Sequence, residues 1–321
     1  MAENILSVKD LTVDYVLTSN DSLRAVDNVT FEVNTEEIFG IVGESGSGKT
    51  TLAKAVLRLL EPPGYIRSGY VNFGGVNLLE VPEEKLNKIR WEKISYIPQS
   101  SMNALNPLMK IKDQMTEVMK MHGFKGVSKE VINRRVEELL VSVGLAPEVS
   151  EMYPHELSGG MKQRVIIAMA TIFNPTLIVA DEPTTALDVV VQRGILQLLT
   201  KIKNEHKSSI VLVTHDIAIQ AEVADKVAVM YAGKIVEIGD IRDVLKEPLH
   251  PYTQALISSI PSPLEKKALY GLSGVPPDLR RPPSGCRFYP RCKYFKSGLC
   301  DKVEPHLQKI GDRLVACHLY R

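Results

Sequence analysis

Four absences in the sequence each exclude a class of protein. No cysteine precedes position 286, so disulfides do not staple most of the chain. The longest apolar runs, such as residues 165–173, are far shorter than the ~20 residues that cross a bilayer. Residues 1–4 lack the basic and apolar blocks of a signal peptide. A net charge of +1 argues against a dominant electrostatic attraction to nucleic acid. The composition therefore predicts a cytoplasmic protein that reaches a membrane only through a partner.

A glycine-rich stretch between a predicted strand (38–42) and a predicted helix (52–60) is the strongest functional signal. It fits the pattern G-x-x-x-x-G-K-[ST], in which glycines let backbone N–H groups turn toward phosphates. The helix N-terminus adds a partial positive charge, Lys49 reaches the phosphates and Thr50 binds Mg²⁺. The predicted nucleotide-binding loop comprises Gly43, Glu44, Ser45, Gly46, Ser47, Gly48, Lys49, Thr50 and Thr51.

The residues before this loop predict a two-stranded antiparallel sheet. Residues 5–16 and 25–33 alternate between apolar and polar, as half-buried strands do. Tyr15 stands at the end of the first strand, where its ring could stack on a nucleotide base. Packing against a strand neighbour is an equally good interpretation of this tyrosine.

Three later strands end in polar residues. Strand 177–181 ends in Asp181 and Glu182, which could hold Mg²⁺ through water and polarise an attacking water. Strand 94–98 is followed by Gln99, and strand 210–214 by His215; taken singly, these two are typical of solvated loop residues.

A possible second anion-binding site lies at the N-terminus of another predicted helix. It consists of Ser158, Gly159 and Gly160, which provide a capping hydroxyl and exposed N–H groups. Taken alone, this stretch is more typical of a plain capping turn.

All four cysteines lie in a proline-rich C-terminal extension that begins near residue 241. Their spacing is Cys286-x5-Cys292-x7-Cys300-x16-Cys317, without the C-x2-C pairs of zinc ribbons. Thiolates from separate turns can converge on an iron–sulfur cluster. Zinc, with His306 or His318 as additional ligands, disulfides and unligated thiols are the alternatives.

Together and in this order, the motifs of residues 5–240 resemble the nucleotide-binding subunit of an ATP-binding-cassette transporter. The resemblance implies an α/β fold: a P-loop NTPase core with an antiparallel β subdomain and an inserted α-helical subdomain. The expected domains are the ATPase at 1–240, its helical subdomain at about 100–172, and a small irregular cysteine-rich extension at 241–321.

The resemblance also implies a role for each motif in binding and hydrolysing ATP. Tyr15 would stack on adenine, Gln99 would sense Mg²⁺ and the membrane subunit, and His215 would contact the γ-phosphate. Glu182 would be the general base, with Asp181 at Mg²⁺ and Asp188 in the loop that follows. Residues 158–160 of one chain would face the ATP bound by the loop of another, and residues 100–107 would contact the membrane subunit.

A narrower resemblance is to the dipeptide and oligopeptide importer branch. It rests on Met161, which directly follows the helix start at residues 158–160, and on residues 40–49, 106–107, 250–256 and 259–261. The branch implies a 4Fe–4S cluster on the four cysteines and pseudo-symmetric pairing with a second, homologous ATPase chain. It also implies two membrane permeases, an extracytoplasmic substrate-binding protein and a peripheral position at the cytoplasmic face of the membrane. Related importers carry dipeptides, oligopeptides, oligosaccharides or nickel complexes, and the permeases and binding protein set that specificity.

Two other classes of function are alternatives to a transporter subunit. A soluble cassette ATPase of DNA repair or translation would use the tail as a nucleic-acid-binding finger. Such proteins usually have tandem cassettes or a long coiled-coil insertion, whereas Gln99 and Leu157 stand only 58 positions apart. A regulatory module with an inactive site is disfavoured by Glu182 and His215. No nucleic-acid partner is therefore expected.

Overall fold

The chain forms two compact units in the computed structural model. The structure describes residues 3–18, 21–99, 104–259 and 274–320. The first unit combines Met1–Glu80 with Leu212–Arg321, and the second is Val81–Val211. Residues 100–103 of the predicted membrane-subunit contact and 260–273 of the predicted C-terminal extension lie outside the described residues.

The described part of the first unit contains most of the strands, four α-helices and short 3-10 helices at Tyr289–Arg291 and His318–Tyr320; elements are numbered along the whole chain. Its strands are β1 (Asn4–Thr18), β2 (Asp21–Asn34), β3 (Ile38–Val42), β4 (Gly64–Phe73), β5 (Val76–Asn77), β9 (Lys226–Tyr231), β10 (Lys234–Asp240), β11 (Gln308–Ile310) and β12 (Arg313–Val315). Its helices are α1 (Lys49–Val56), α7 (Ile217–Val223), α8 (Ile241–Lys246) and α9 (Pro251–Ser258).

The second unit contains the inserted helices. Its elements are α2 (Glu83–Glu92), β6 (Ile94–Ile97), α3 (Ile111–His122), α4 (Lys129–Ser142), α5 (Gly159–Ala170), β7 (Leu177–Asp181) and α6 (Val189–His206). Short 3-10 helices occupy Pro147–Glu151 and Pro154–Glu156. Strand β8 (Ser209–Thr214) includes the point at which the chain passes from this unit to the first.

The predicted antiparallel sheet is confirmed, with strand order β2-β1-β4-β5. Strand β1 buries Leu6 and Val8 before a register shift and Leu11 and Val13 after it, but the intervening polar residues Ser7 and Thr12 are buried as well, so the expected strict alternation is interrupted. Its partner β4 approaches so closely that a Cβ on Gly69 would lie 2.6 Å from the Leu11 Cα, at a φ of +124°. Only glycine fits there, because both the space and the backbone conformation exclude a side chain.

The strand that leads into the nucleotide loop is central to a second sheet of this unit. All of β3 is buried and pairs in parallel with β9, with Ile41 opposite Ala228. A hairpin joins β9 to β10, which continues through β12 to β11. Such a continuously apolar parallel strand is typical of a sheet covered on both faces.

The C-terminal extension packs into the core of the first unit. Tyr231 of β9, Tyr252 of α9 and Phe288 of the tail form an aromatic cluster with ring centroids 4.5–5.5 Å apart. Burying rings of this size removes a large apolar area from water. The expectation of an irregular segment directly after residue 240 was wrong: α8 and α9 occupy it, and β11 and β12 form a hairpin farther along. The predicted domain boundary at residue 240 stays a prediction.

The inserted helical subdomain has the expected helical pattern. Helix α4 begins with a Ser128 cap and buries Ile132, Val136, Leu139 and Leu140, a stripe with helical spacing. In this same unit β6 pairs in parallel with β7, with Tyr96 opposite Val179. Among the described residues, no helix is both long and apolar enough to span a membrane.

Candidate functional site

The glycine-rich loop lies between β3 and α1, as the sequence predicts. Gly48 caps α1 in a left-handed conformation with a φ of 99°. A Cβ there would approach the Ala25 carbonyl oxygen to 2.1 Å, and one on Gly43 would approach the Met230 carbonyl oxygen to 2.0 Å. Glycine is therefore required at both ends, because the loop lies directly against neighbouring backbone.

Lys49 places a positive charge inside this loop. Its Nζ donates to the carbonyl oxygens of Gly43 and Glu44 at 2.7 and 2.9 Å, and lies 3.4 Å from the Ser47 hydroxyl. The residue is only 5% exposed. A buried ammonium at the amino end of a helix can bind an anion strongly, because the helix dipole and the charge act together.

Tyr15 lies close to the same loop and helix. Its hydroxyl is 3.3 Å from the Thr51 hydroxyl, and a Cβ on Gly64 would meet its ring at 2.8 Å. The ring thus lies against Gly64, while the residue stays partly exposed. This geometry is compatible with both alternatives given for Tyr15, strand packing and base stacking.

In the second unit, the acidic end of β7 is held by residues distant in sequence. Asp181 is fully buried and accepts a hydrogen bond from the Tyr96 hydroxyl at 3.1 Å. Burial raises the pKa of the Tyr96 phenol, and the neighbouring Asp181 carboxylate raises it further, so Tyr96 stays a donor. Sequence reasoning missed Tyr96, although its place near the end of a strand parallel to β7 was a usable signal.

Glu182 and Gln99 are brought together, although 83 positions separate them. Gln99 Nε2 donates to Glu182 Oε2 at 3.1 Å, and the Thr185 hydroxyl donates to the same oxygen at 2.8 Å. The Glu182 backbone is left-handed, with a φ of 46°. Non-glycine residues seldom adopt this conformation, and those that do cluster at functional sites.

The predicted second helix start is also present in this unit. Ser158 caps α5 and accepts from the Met161 N–H at 3.3 Å. A Cβ on Gly160 would lie 2.7 Å from Val191, so glycine is needed for α5 and α6 to meet. Asp188 caps α6 by accepting from the Val190 and Val191 N–H groups at 3.1 and 3.0 Å.

The histidine predicted to contact the γ-phosphate belongs to the first unit. His215 directly follows β8 and has an exposed side chain. The next residue, Asp216, caps α7 by accepting from the Ala218 N–H at 2.8 Å. The histidine is thus held at a fixed strand-to-helix junction.

The four cysteines converge in the first unit. Cys286, Cys292, Cys300 and Cys317 all line one cavity of about 20 Å³, together with His318. Burial raises the pKa of the Cys286 thiol to about 12, and the other thiols add a smaller effect in the same direction. Across the described ranges, no three His, Cys, Asp or Glu side chains come together as ligands for a metal ion.

The fold and these motifs define an ATP-binding cassette, and comparisons with known proteins agree. The sequence matches the family described as ABC transporter over residues 26–185. It also matches the oligopeptide/dipeptide transporter C-terminal region over residues 236–300. The chain therefore belongs to the ABC transporter ATPase family, as the sequence motifs predicted.

Individual relatives match over nearly the whole chain. The dipeptide transport ATP-binding protein DppD of Caldanaerobacter subterraneus is 43% identical over 319 residues, which is 98% of this chain and 97% of that protein. The oligopeptide transport ATP-binding protein OppD of Escherichia coli is 43% identical over 98% of this chain and 93% of its own length. These matches favour the transporter interpretation over a soluble cassette acting on nucleic acid.

A solved cassette dimer shares the fold. It is a post-hydrolysis state bound to ADP and Pi, with a TM-score of 0.65 and 29% identity over 74% of this chain and 99% of that structure. The predicted fold class, a P-loop NTPase core with an antiparallel sheet and helical insertion, is thus confirmed.

Proposed function

We propose that this chain is the ATP-hydrolysing subunit of an importer for dipeptides, oligopeptides or a related small solute. The observation that carries the proposal is the match to dipeptide and oligopeptide transport ATP-binding proteins over both the cassette and the tail. A cassette match alone would leave the transported solute open. The tail match supports peptides as the solute, since residues 236–300 match a family described as the oligopeptide/dipeptide transporter C-terminal region.

In this proposal the loop of the first unit binds the triphosphate of ATP. Lys49 and the N–H groups of residues 43–51 supply the positive field, and Tyr15 stacks on the adenine ring. When bound, Mg²⁺ neutralises phosphate charge, and Thr50, Gln99 and Asp181 are the residues assigned to it. His215 contacts the γ-phosphate.

Glu182 is proposed as the general base that accepts a proton from the attacking water. Its carboxylate is oriented by two donors, the Gln99 amide and the Thr185 hydroxyl. A base held in one orientation accepts a proton more efficiently than a mobile one, because its position relative to the water is already fixed.

The nucleotide site is proposed to be completed by a second, homologous ATPase chain. The N-terminus of α5 (residues 158–160) and Asp188 would face the ATP bound by that partner. A groove of about 770 Å³ lies beside this helix start and is lined by Ser158, Gly160, Val189 and Val190, among others. Val189 and Val190 are 79% and 82% exposed, and such exposed aliphatic side chains are typical of an interface. Two permeases and an extracytoplasmic binding protein complete the complex, which holds this chain peripherally at the cytoplasmic face of the membrane.

Transport by reconstituted vesicles tests this function. We expect ATP-driven uptake of a labelled dipeptide or oligopeptide when this chain, a second cassette, both permeases and the binding protein are present. Leaving out either cassette should abolish uptake, because each chain supplies half of each nucleotide site. Full transport with this chain as the only cassette would contradict the heterodimer, and ATP hydrolysis without any uptake would contradict the importer.

The four cysteines are proposed to hold a 4Fe–4S cluster that stabilises the tail. The donor set fits, since all four cysteines line one cavity and iron–sulfur clusters bind through four thiolates. The cavity has room for about one water, so the side chains must turn outward to admit a cluster. Among the described His, Cys, Asp and Glu side chains no three are already grouped as metal ligands, so the thiols would have to move closer together for a cluster or for zinc alike.

Metal analysis of protein purified without air tests the cluster. We expect about four iron and four acid-labile sulfide atoms per chain, with a brown colour that is lost in Cys300→Ser. His318→Gln is the matched control, because His318 lines the same cavity but supplies a ligand only in the zinc alternative. A colourless protein that contains zinc alone would refute the cluster.

A further inference from the structure

A buried arginine of the tail binds the second residue of the nucleotide loop. Arg291 Nη1 and Nη2 donate to the two carboxylate oxygens of Glu44 at 2.7 and 3.0 Å. Arg291 Nη1 also lies 3.3 Å from the Tyr231 hydroxyl, and the arginine side chain is only 4% exposed. This bidentate pairing raises the pKa of Arg291. A guanidinium that donates two parallel hydrogen bonds to one carboxylate fixes the relative position of the two groups and also neutralises their charges.

The backbone of Glu44 is held from the same side. Its N–H donates to the Tyr252 hydroxyl at 2.8 Å, and its carbonyl oxygen accepts from Lys49 Nζ at 2.9 Å. Tyr252 is fully buried in α9, outside the residues that match the cassette family. A short path of contacts thus runs from Arg291 through Glu44 to the lysine of the loop.

A second tail arginine supports the other side of the loop. Arg287 donates to the Ala232 carbonyl oxygen and pairs with Asp27. The adjacent Gly233 N–H donates to the Ser47 carbonyl oxygen at 2.8 Å. Arg287 follows Cys286 and Arg291 precedes Cys292, so both arginines are anchored next to cysteines that line the tail cavity.

We propose that Arg291 is a positioning residue that holds and neutralises Glu44, and thereby makes nucleotide affinity depend on the folded cysteine tail. The inference rests on the proposed nucleotide binding at residues 43–51. An uncompensated carboxylate in the loop repels a triphosphate, and because the Glu44 side chain is only 24% exposed, water screens this repulsion incompletely. Pairing with Arg291 neutralises this charge and keeps the loop in one conformation. The free-energy cost of ordering the loop when nucleotide binds is therefore smaller.

Nucleotide binding by Arg291→Met in the full chain tests the proposal. We expect the Kd for a fluorescent ATP analogue to rise about tenfold or more, with kcat at saturating ATP changed less than about twofold. Arg291→Lys, which keeps the charge but loses the fork, should be intermediate. Arg280→Met is the matched control, because Arg280 pairs with Asp278 on the surface of the same tail and should leave Kd unchanged.

A second substitution separates charge neutralisation from general damage to the fold. Adding Glu44→Gln to Arg291→Met should recover much of the lost affinity, since the uncompensated charge is gone. Tyr252→Phe, which removes only the hydroxyl that accepts from Glu44, should weaken binding in a protein with near-normal thermal stability. An unchanged Kd for the ATP analogue in Arg291→Met would overturn the proposal. So would a double variant that binds the analogue as weakly as the single variant does. Failure of the unmodified chain to bind ATP would instead contradict the proposed function.

The dependence on the cysteine tail has its own readout. Cys292→Ser should raise the nucleotide Kd, and combining it with Arg291→Met should add little, because both changes release the same contact. Fully additive effects of the two substitutions on Kd would show that the cysteines and Arg291 act separately, and would overturn the link to the tail.

Discussion

Glu182→Gln should reduce kcat for ATP hydrolysis by a factor of about 10²–10⁴ while ATP stays bound, since this is the usual contribution of a general base. Glutamine keeps the size of the side chain and its contact with Thr185, but it cannot accept the proton of the attacking water. The measurement is single-turnover hydrolysis together with the Kd for ATP. Undiminished hydrolysis would refute the assignment of Glu182 as base.

Glu205→Gln is the matched control for this substitution. Glu205 is an exposed glutamate of α6 in the same unit, and its contact with Lys201 is a surface pair at 3.8 Å. Exposed pairs of this kind contribute about 0–1 kcal/mol, so neither stability nor turnover should change measurably. A loss of activity in both variants would indicate a general effect of neutralising a glutamate.

The second large effect is expected at the nucleotide loop. Lys49→Ala should weaken ATP binding about 100-fold or more, because the ammonium is the buried positive charge inside the loop and charged hydrogen bonds are the strong ones. The measurement is equilibrium binding of a non-hydrolysable ATP analogue, with thermal unfolding measured in parallel to show that the variant is folded.

Lys54→Ala is the control for Lys49→Ala. Lys54 lies in the last turn of the same helix, at the end opposite the nucleotide loop. Its removal should leave the Kd for the analogue within about twofold of the unmodified value, since a partly exposed charge at the far end of the helix is screened by water and salt. Equal losses at both positions would mean that the helix, and not the Lys49 contact, determines binding.

The strands and motifs of the cassette were predictable because their signals are local. The alternation in β1 and β2 and the apolar runs of β3, β7 and β8 give each strand from a few adjacent residues. The nucleotide loop was equally clear, since its glycines, Lys49 and Thr50 form one pattern within the eight consecutive residues 43–50. For these parts, sequence spacing and structure express the same constraint.

The contacts around the site were not predictable, because they join residues far apart in the chain. Arg291 and Glu44 are 247 positions apart, and no periodicity or motif relates them. The pair Tyr96 and Asp181, 85 positions apart, becomes visible only once β6 and β7 are known to be parallel neighbours. Helices α8 and α9 were missed for a related reason: they are short, and α9 is stabilised by packing of Tyr252 on Tyr231.

Whether ATP joins this chain to a partner is the central question. The molecular mass of Glu182→Gln, mixed with the second cassette chain and measured by light scattering with and without ATP and Mg²⁺, tests it most directly. The proposed function predicts two monomers without nucleotide and a one-to-one complex with it, dissociating again when ATP is removed. Chains that bind ATP yet stay monomeric in the mixture would contradict a nucleotide site completed by a partner.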